Sequence, residues 1–291
     1  MKYIVFEAGG RAGYSAEMFF NDYVKRTQND DVLIMVDDDM SVNKVCSEGN
    51  TIRTTSDVLN ELSCEEKDVT IFPADELTRQ RNAKAQRLAS KNKYSSVEGW
   101  YYDKKLMNEY LAEKAKGCSI LIPRTFEANN VCVRPNSLSA GSTGLQLLDN
   151  VSITQKLNIV EEYVVDVLRD EDNIRLFPRQ VKLKNGYDRL IMPISENSLL
   201  AEDIVEFITK VSPSNEGVFS DIFHLQLAKA DDGNVYYIEW SKRISGTSVV
   251  NLFRGMNPFC FINGIDVKVE NPFSYGEWYR YEDFLNKISC L

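Results

Sequence analysis

A single histidine, His224, stands in this chain of 291 residues. One histidine excludes a multi-histidine metal site within one chain and weighs against hydrolytic triad chemistry. The six cysteines, Cys46, Cys64, Cys118, Cys132, Cys260 and Cys290, include no CxxC pair. Their spacing suggests neither a zinc site nor a small disulfide scaffold, and it fits free thiols in a reducing cytoplasm. No apolar run approaches the length of a membrane-spanning helix. Positive charge is also in deficit, with 34 basic against 43 acidic residues and a formal net charge of -9. Such a chain is a poor match for a nucleic-acid backbone or an anionic membrane, so neither partner is expected. A few local cations can still hold phosphate.

What remains is ordinary for a soluble globular enzyme: 43% hydrophobic and 26% charged residues. The length allows two or three small lobes packed together. The opening MKYIVFEAGG reads as a buried first strand rather than a signal peptide, because Glu7 and Gly9 interrupt a short apolar run.

Apolar strands alternate with helices over the first 90 or so residues. Strands are predicted at 3–6, 31–37 and 68–75, and helices at 15–27 and 76–92, with a Gly-rich turn at 9–13. That alternation predicts a doubly wound parallel sheet. The texture then changes. A helix is predicted at 103–115 and strands at 119–126 and 130–135, followed by a small-residue loop at 137–144. Residues 156–168 are strand-rich, and 174–194 read as two strands around Asn185-Gly186. A helix at 199–211, a hairpin at 221–241 closed by DDGN and a helix at 247–256 follow, and the last 35 residues look irregular.

Two stretches carry chemistry. In VRPNSLSAGSTG (133–144), a strand delivers Arg134 and then a loop of Gly and Ser. Backbone N–H groups and hydroxyls in such a loop can fold over polyphosphate. No GKS or GKT follows, and composition alone favours a plain surface turn. The second stretch is the 221–241 hairpin. Gln226 and Glu239 lie on opposite arms, and Glu239 and Ser241 point to one face. Oxygen ligands on one face suit Mg²⁺, which shares nucleotide phosphates. The alternatives are a polar exposed sheet face, and Glu239 simply pairing with Arg243.

Together, in this order, these stretches resemble the ATP-grasp superfamily, most closely the carbamoyl phosphate synthetase large subunit and its short ligase relatives. HLQLAKADDGNVYYIEWSKRISG (224–246) is similar to the family's Gln, hairpin, then Glu-x-Asn-x-Arg-x-Ser. VRPNSLSAGSTGL (133–145) resembles its phosphate loop, and YYDKKLMNEYL (101–111) its Asp-Lys segment. ITQKLNIVEEYVVDVL (153–168) resembles the hinge and the Glu-Tyr-x-Val-Asp-Val strand. The likeness covers roughly 70–256 well and the N-terminal lobe loosely.

The resemblance implies an α/β and α+β architecture: a pre-ATP-grasp lobe over 1–92, a small subdomain over 93–155 and a main subdomain over 156–291. It implies that Lys104 and Arg134 contact ATP phosphates, with Ser139, Gly141 and Ser142 in the loop above them. The hinge Gln155-Lys156-Leu157 would hold adenine, and Glu162 the ribose. Gln226, Glu239 and Ser241 would bind Mg²⁺, with Mn²⁺ as the substitute. Arg243 would stabilise the transferred phosphoryl, and Arg179 would meet substrate. The plain readings are exposure beside Glu161 for Glu162, and a solvated strand charge for Arg179. His224 has no catalytic role in the family and reads as a core residue or one supporting the metal ligands. Two positions depart from the pattern: Arg134 stands where most members have Lys, and Ser241 where they have Asn.

The activity implied is an ADP-forming ligase. It would activate a carboxylate as an acyl phosphate for attack by an amine or thiol, both small molecules. Alternatives are a bicarbonate- or carbamate-phosphorylating enzyme, and a nucleotide-binding protein without turnover. A homodimer stays open.

Overall fold

The computed structural model describes residues 1–39, 52–63, 68–91, 94, 104–124, 131–135, 151–170, 173–184, 187–212, 221–268 and 271–288. Three parallel strands, β1 (Lys2–Phe6), β2 (Val32–Val36) and β3 (Val69–Ile71), form the first sheet in the order β2-β1-β3. The continuous apolar run of β1 is needed because both of its faces are covered. Tyr3 and Val5 face Phe19, Phe20 and Tyr23 of α1 (Arg11–Thr27). Ile4 and Phe6 face the other way, onto α2 (Thr55–Glu61) and the helix at Ala83–Ser90. Gly13 is required where α1 leaves the Gly-rich turn, since a Cβ there would collide with the backbone of Ala8.

The polar helix expected over 76–92 is two helices, α3 (Leu77–Arg81) and α4 (Ala83–Ser90). Asn82 leaves the helical region, and its side-chain oxygen accepts from the N–H groups of Lys84 and Ala85. The cap starts a new helix there. After α5 (Lys104–Lys114), the described part of the strand expected at 119–126, residues 119–124, holds only β4 (Ile120–Leu121), because Pro123 has no N–H to extend a ladder, and 125–126 lie outside the described residues. β5 (Val131–Pro135) and β6 (Val151–Gln155) pair antiparallel as a separate two-stranded sheet.

The large sheet adds β7 (Ile159–Asp170), β8 (Asn173–Lys184), β9 (Tyr187–Pro193), β10 (Asp221–Ala230), β11 (Val235–Ser241) and β12 (Tyr279–Arg280). Its order is β12-β9-β8-β7-β10-β11-β4. One face packs on α5 and α6 (Leu199–Val211), burying Val165, Val167, Leu225, Ile204 and Phe207. On the other face, Leu168, Phe177 and Ile222 join the core of the first lobe.

The segment after β11 is a 3-10 helix over Ser248–Arg254, tighter than the α-helix expected over 247–256. Thr247, Val249 and Val250 are β-branched and disfavour a longer α-helix. The last 35 residues are more regular than their sequence reads, forming α7 (Pro258–Ile262), β12 and α8 (Tyr281–Ile288). Asn257 caps α7 from the residue before Pro258, a helix start that the Asn-Pro pair conceals as a turn. Phe259 stacks on Phe72 with ring centroids 4.1 Å apart, tying the tail to the first lobe.

Candidate active site

Antiparallel register decides which side chains meet. Gln226 lies directly opposite Glu239, and His224 opposite Ser241. Across the next ladder Val164 opposes Gln226 and Asp166 opposes His224. One strand further, Arg179 opposes Val164. Directly opposed residues share a face. The face away from α5 and α6 therefore carries Glu162, Arg179, Asp166, His224, Gln226, Glu239 and Ser241.

Asp166 is fully buried at the centre of this face. One oxygen accepts from Arg179 Nη1 at 2.6 Å and from Asn251 Nδ2 at 2.9 Å. The other accepts from Ser248 Oγ at 2.7 Å and the Ser245 N–H at 3.1 Å. Burial pushes this carboxyl up, but the Arg179 charge and the donors around it hold it below the usual carboxylate range. Arg179 is only 1% exposed. Its Nη2 donates to Ser245 Oγ at 2.5 Å and Thr247 Oγ1 at 3.0 Å. The solvated-charge reading of Arg179 is thereby corrected: paired diagonally with a buried carboxylate, it turns inward as a brace.

That brace holds one side of the segment carrying Arg243. The first lobe holds the other. Glu76 accepts from the Lys242 N–H, and Arg79 Nη2 donates to the Lys242 carbonyl at 2.8 Å. The Ile244 N–H donates to the Pro73 carbonyl at 2.9 Å. The Arg243 carbonyl meets His224 Nδ1 at 3.0 Å, and its own Nη1 donates to the Ile244 carbonyl at 3.0 Å. Successive peptides from 242 to 245 are thus each tied down, which fixes a half-buried arginine at the edge of the polar face.

Because a carbonyl only accepts, His224 carries its proton on Nδ1. Burial, then the Arg243 charge, push its imidazole down to about 4, so the ring is neutral. At the end of β1, Glu7 has a φ of 52°. Partial desolvation of an otherwise exposed residue, then the neighbouring Asp75, raise its carboxyl to about 7, while Arg243 draws it back. The first lobe thus presents acidic groups to the same arginine.

The hinge is described in part. The Gln155 N–H donates to the Arg124 carbonyl at 2.9 Å. Lys156 is exposed and Leu157 half-buried between β6 and β7. Asn158 ties this connection to the 221–241 hairpin through Asp231 at 2.9 Å. Lys104 opens α5, and Arg134 sits on β5 opposite Ser152. Ser139, Gly141 and Ser142 lie outside the described residues. Sequence reasoning gave no role to Asp166, Glu76, Arg79 or Ser248. Asp166 carried a usable signal: a lone carboxylate inside the apolar run YVVDVL must be paired when buried.

A shallow groove of about 460 Å³ lies on the opposite face, lined by Tyr163, Gln180, Met192, Leu200 and Tyr275. Strand alternation separates it from this site. Among the described residues no helix is long and apolar enough to cross a membrane.

No protein-family model and no curated protein matches the sequence. Solved structures do match. An ATP-grasp superfamily protein from Archaeoglobus fulgidus superposes with a TM-score of 0.60, covering 93% of this chain and 90% of its own, at 12% identity. N5-carboxyaminoimidazole synthetase from Staphylococcus aureus, complexed with ADP, gives 0.61 over 92% and 78%, at 12% identity. An L-amino acid ligase from Bacillus licheniformis gives 0.53 over 90% and 72%, at 12% identity. The likeness extends over nearly the whole chain, from the parallel lobe to the polar face of the large sheet: this chain has the ATP-grasp fold.

Proposed function

We propose that the protein is an ATP-dependent ligase that activates a small carboxylate as an acyl phosphate, releases ADP and passes the acyl group to an amine-type nucleophile. The observation that carries this reading is the register placing Gln226 opposite Glu239, on the face that the tied-down Arg243 segment borders. A nucleotide on this face is also consistent with the ADP complex of the Staphylococcus aureus protein.

In this reading Gln226, Glu239 and Ser241 hold the divalent cation. Their chemistry fits, since a carboxylate and neutral oxygen donors on one face match Mg²⁺ shared with phosphates. The bound cation would supply charge neutralisation for the phosphates. Glu162 takes the ribose hydroxyls and the backbone of Gln155-Lys156-Leu157 takes adenine. Lys104, Arg134 and the loop of Ser139, Gly141 and Ser142 meet the phosphates. Arg243 stabilises the transferred phosphoryl group, and the network around Asp166 and Arg179 keeps Arg243 in place. No general base of unusual pKa is required, because positioning and charge neutralisation dominate phosphoryl transfer.

Ser241 favours a second reading, nucleotide binding without turnover. Its hydroxyl is shorter than the amide found there in the family, and the residue is 4% exposed. Screening ADP release against a panel of carboxylates and amines tests both. ADP and phosphate formed only with a carboxylate present supports the ligase. AMP and pyrophosphate would overturn it, and nucleotide binding with no product across the panel would favour the second reading.

A further inference from the structure

The polar face holds polar atoms that the protein itself leaves unused. Among the described residues, the Gln226 side chain, the Ser241 hydroxyl and His224 Nε2 have no hydrogen-bond partner. Two of these belong to deeply buried residues, His224 at 2% exposure and Ser241 at 4%. Neither atom is among the sealed, unsatisfied polar atoms of the core. A buried imidazole ordinarily satisfies both nitrogens.

Competing partners for Nε2 are accounted for. Nδ1 donates to the Arg243 carbonyl, so Nε2 is a lone pair and not a donor. The neighbouring carboxylate in register, Asp166, is filled by Arg179, Asn251, Ser248 and Ser245. On the other side stands Ser241, at the position where the metal-binding amide is missing. Glu239 and Gln226 form the next row of the same face. Among the described residues no three His, Cys, Asp or Glu side chains converge as a metal cluster. Any cation here therefore draws on the Glu239 carboxylate, on neutral ligands beside it and on ligands from the nucleotide.

Resting on the nucleotide reading above, we propose that His224 Nε2 is itself a ligand of the divalent cation, beside Glu239 and Gln226. The imidazole takes over from the absent amide at 241. Its Nδ1–H bond to the Arg243 carbonyl fixes the ring as metal-bound histidines require, and links cation binding to the arginine segment. A mixed nitrogen and oxygen set shifts preference from Mg²⁺ toward Mn²⁺.

The sole histidine makes the test unambiguous. Electron spin-echo envelope modulation is recorded on the full, untagged chain with Mn²⁺ and ADP, with and without [15N]histidine labelling. The expected result is a nitrogen modulation that changes frequency on labelling, together with phosphorus coupling from ADP. The variant His224→Gln should lose that modulation and weaken Mn²⁺ affinity about tenfold or more, and Mg²⁺ affinity less. Phosphorus coupling without any label-sensitive nitrogen modulation overturns the assignment of His224 and leaves the nucleotide reading standing. Absence of both signals overturns the two together. Because the labelled parent needs no substitution, a misfolded variant leaves the test intact.

Discussion

Two strand pairs of one sheet face behave differently, a filled row along β7 and β8 and an open row along β10 and β11. In one, the Asp166 carboxylate accepts five hydrogen bonds from four residues and the two Nη atoms of Arg179 donate to three acceptors, leaving only the Arg179 Nε without a partner. In the other, Gln226, Ser241 and His224 Nε2 find no protein partner among the described residues. Both rows descend from the same alternation, on two adjacent pairs of strands. A filled buried network specifies one conformation, whereas unused donors in a sheltered place wait for a ligand. The first row acts as scaffold and the second as site. Substitutions in the first should cost stability, and those in the second should cost binding.

The largest effect is expected at the centre of the filled row. Asp166→Ala leaves Arg179 buried without its counter-charge, and should destabilise the fold by about 3–5 kcal/mol. Denaturant titration checks this. A loss below about 1 kcal/mol would show that the network is dispensable. A double variant, Asp166→Ala with Arg179→Met, should recover part of the loss, since replacing both partners removes the orphaned charge.

His224 links the rows and gives a pH signature. Its folded value of about 4 lies below the ordinary 6.5, so the unfolded chain binds the proton more readily. Stability from this group is complete above pH 6.5 and declines as pH falls toward 4, by on the order of 3 kcal/mol. In metal-free protein, His224→Gln should remove that part of the pH dependence. An unchanged profile would mean that the ring is not held neutral by burial and the charges around it, Arg243 on one side against Asp166 and Glu239 on the other.

In the open row, Ser241→Asn restores the longer amide. It should bind the metal nucleotide at least as tightly as the parent, at a stability cost of about 1–2 kcal/mol for added volume at a buried position. Loss of nucleotide binding in a folded variant would assign Ser241 a role of its own. The smallest effect belongs to Glu7. Its raised carboxyl contributes stability below pH 4.5 that is lost as pH rises through about 7. Glu7→Gln should therefore be more stable than the parent at pH 8 and no more stable at pH 4. The side chain is exposed, so solvent screening keeps the difference small. Equal stability of the two proteins at pH 8 would detach Glu7 from Asp75.

The open row was the more legible in the sequence. A hairpin closed by DDGN brings these two arms together, although its turn register alone would set Gln226 opposite Ile238, and a bulge between Gln226 and Leu227 is what brings Glu239 across from it. The parallel lobe was legible for a similar reason, since strands covered on both faces need continuous apolar runs. The filled row was not. Asp166 meets Ser245, Ser248 and Asn251 across about 80 residues, and Glu76 reaches Lys242 across 166, separations that no periodicity encodes. Arg179 could not be distinguished from a solvated strand charge until its buried partner was known. The tail stayed hidden because its prolines and glycines read as turns, while Phe259, Phe273 and Phe284 pack into the core.

The most direct test of the account concerns Glu239, the one carboxylate assigned to the cation. Affinity for ADP is measured by calorimetry across a magnesium titration, for the parent and for Glu239→Gln, with denaturant stability measured in parallel. The parent should bind ADP more tightly as magnesium rises. The variant should stay within about 1 kcal/mol in stability yet lose that metal dependence. A folded Glu239→Gln protein that binds ADP with the parent's affinity and the parent's magnesium dependence would contradict the assignment of this face as the metal–nucleotide site.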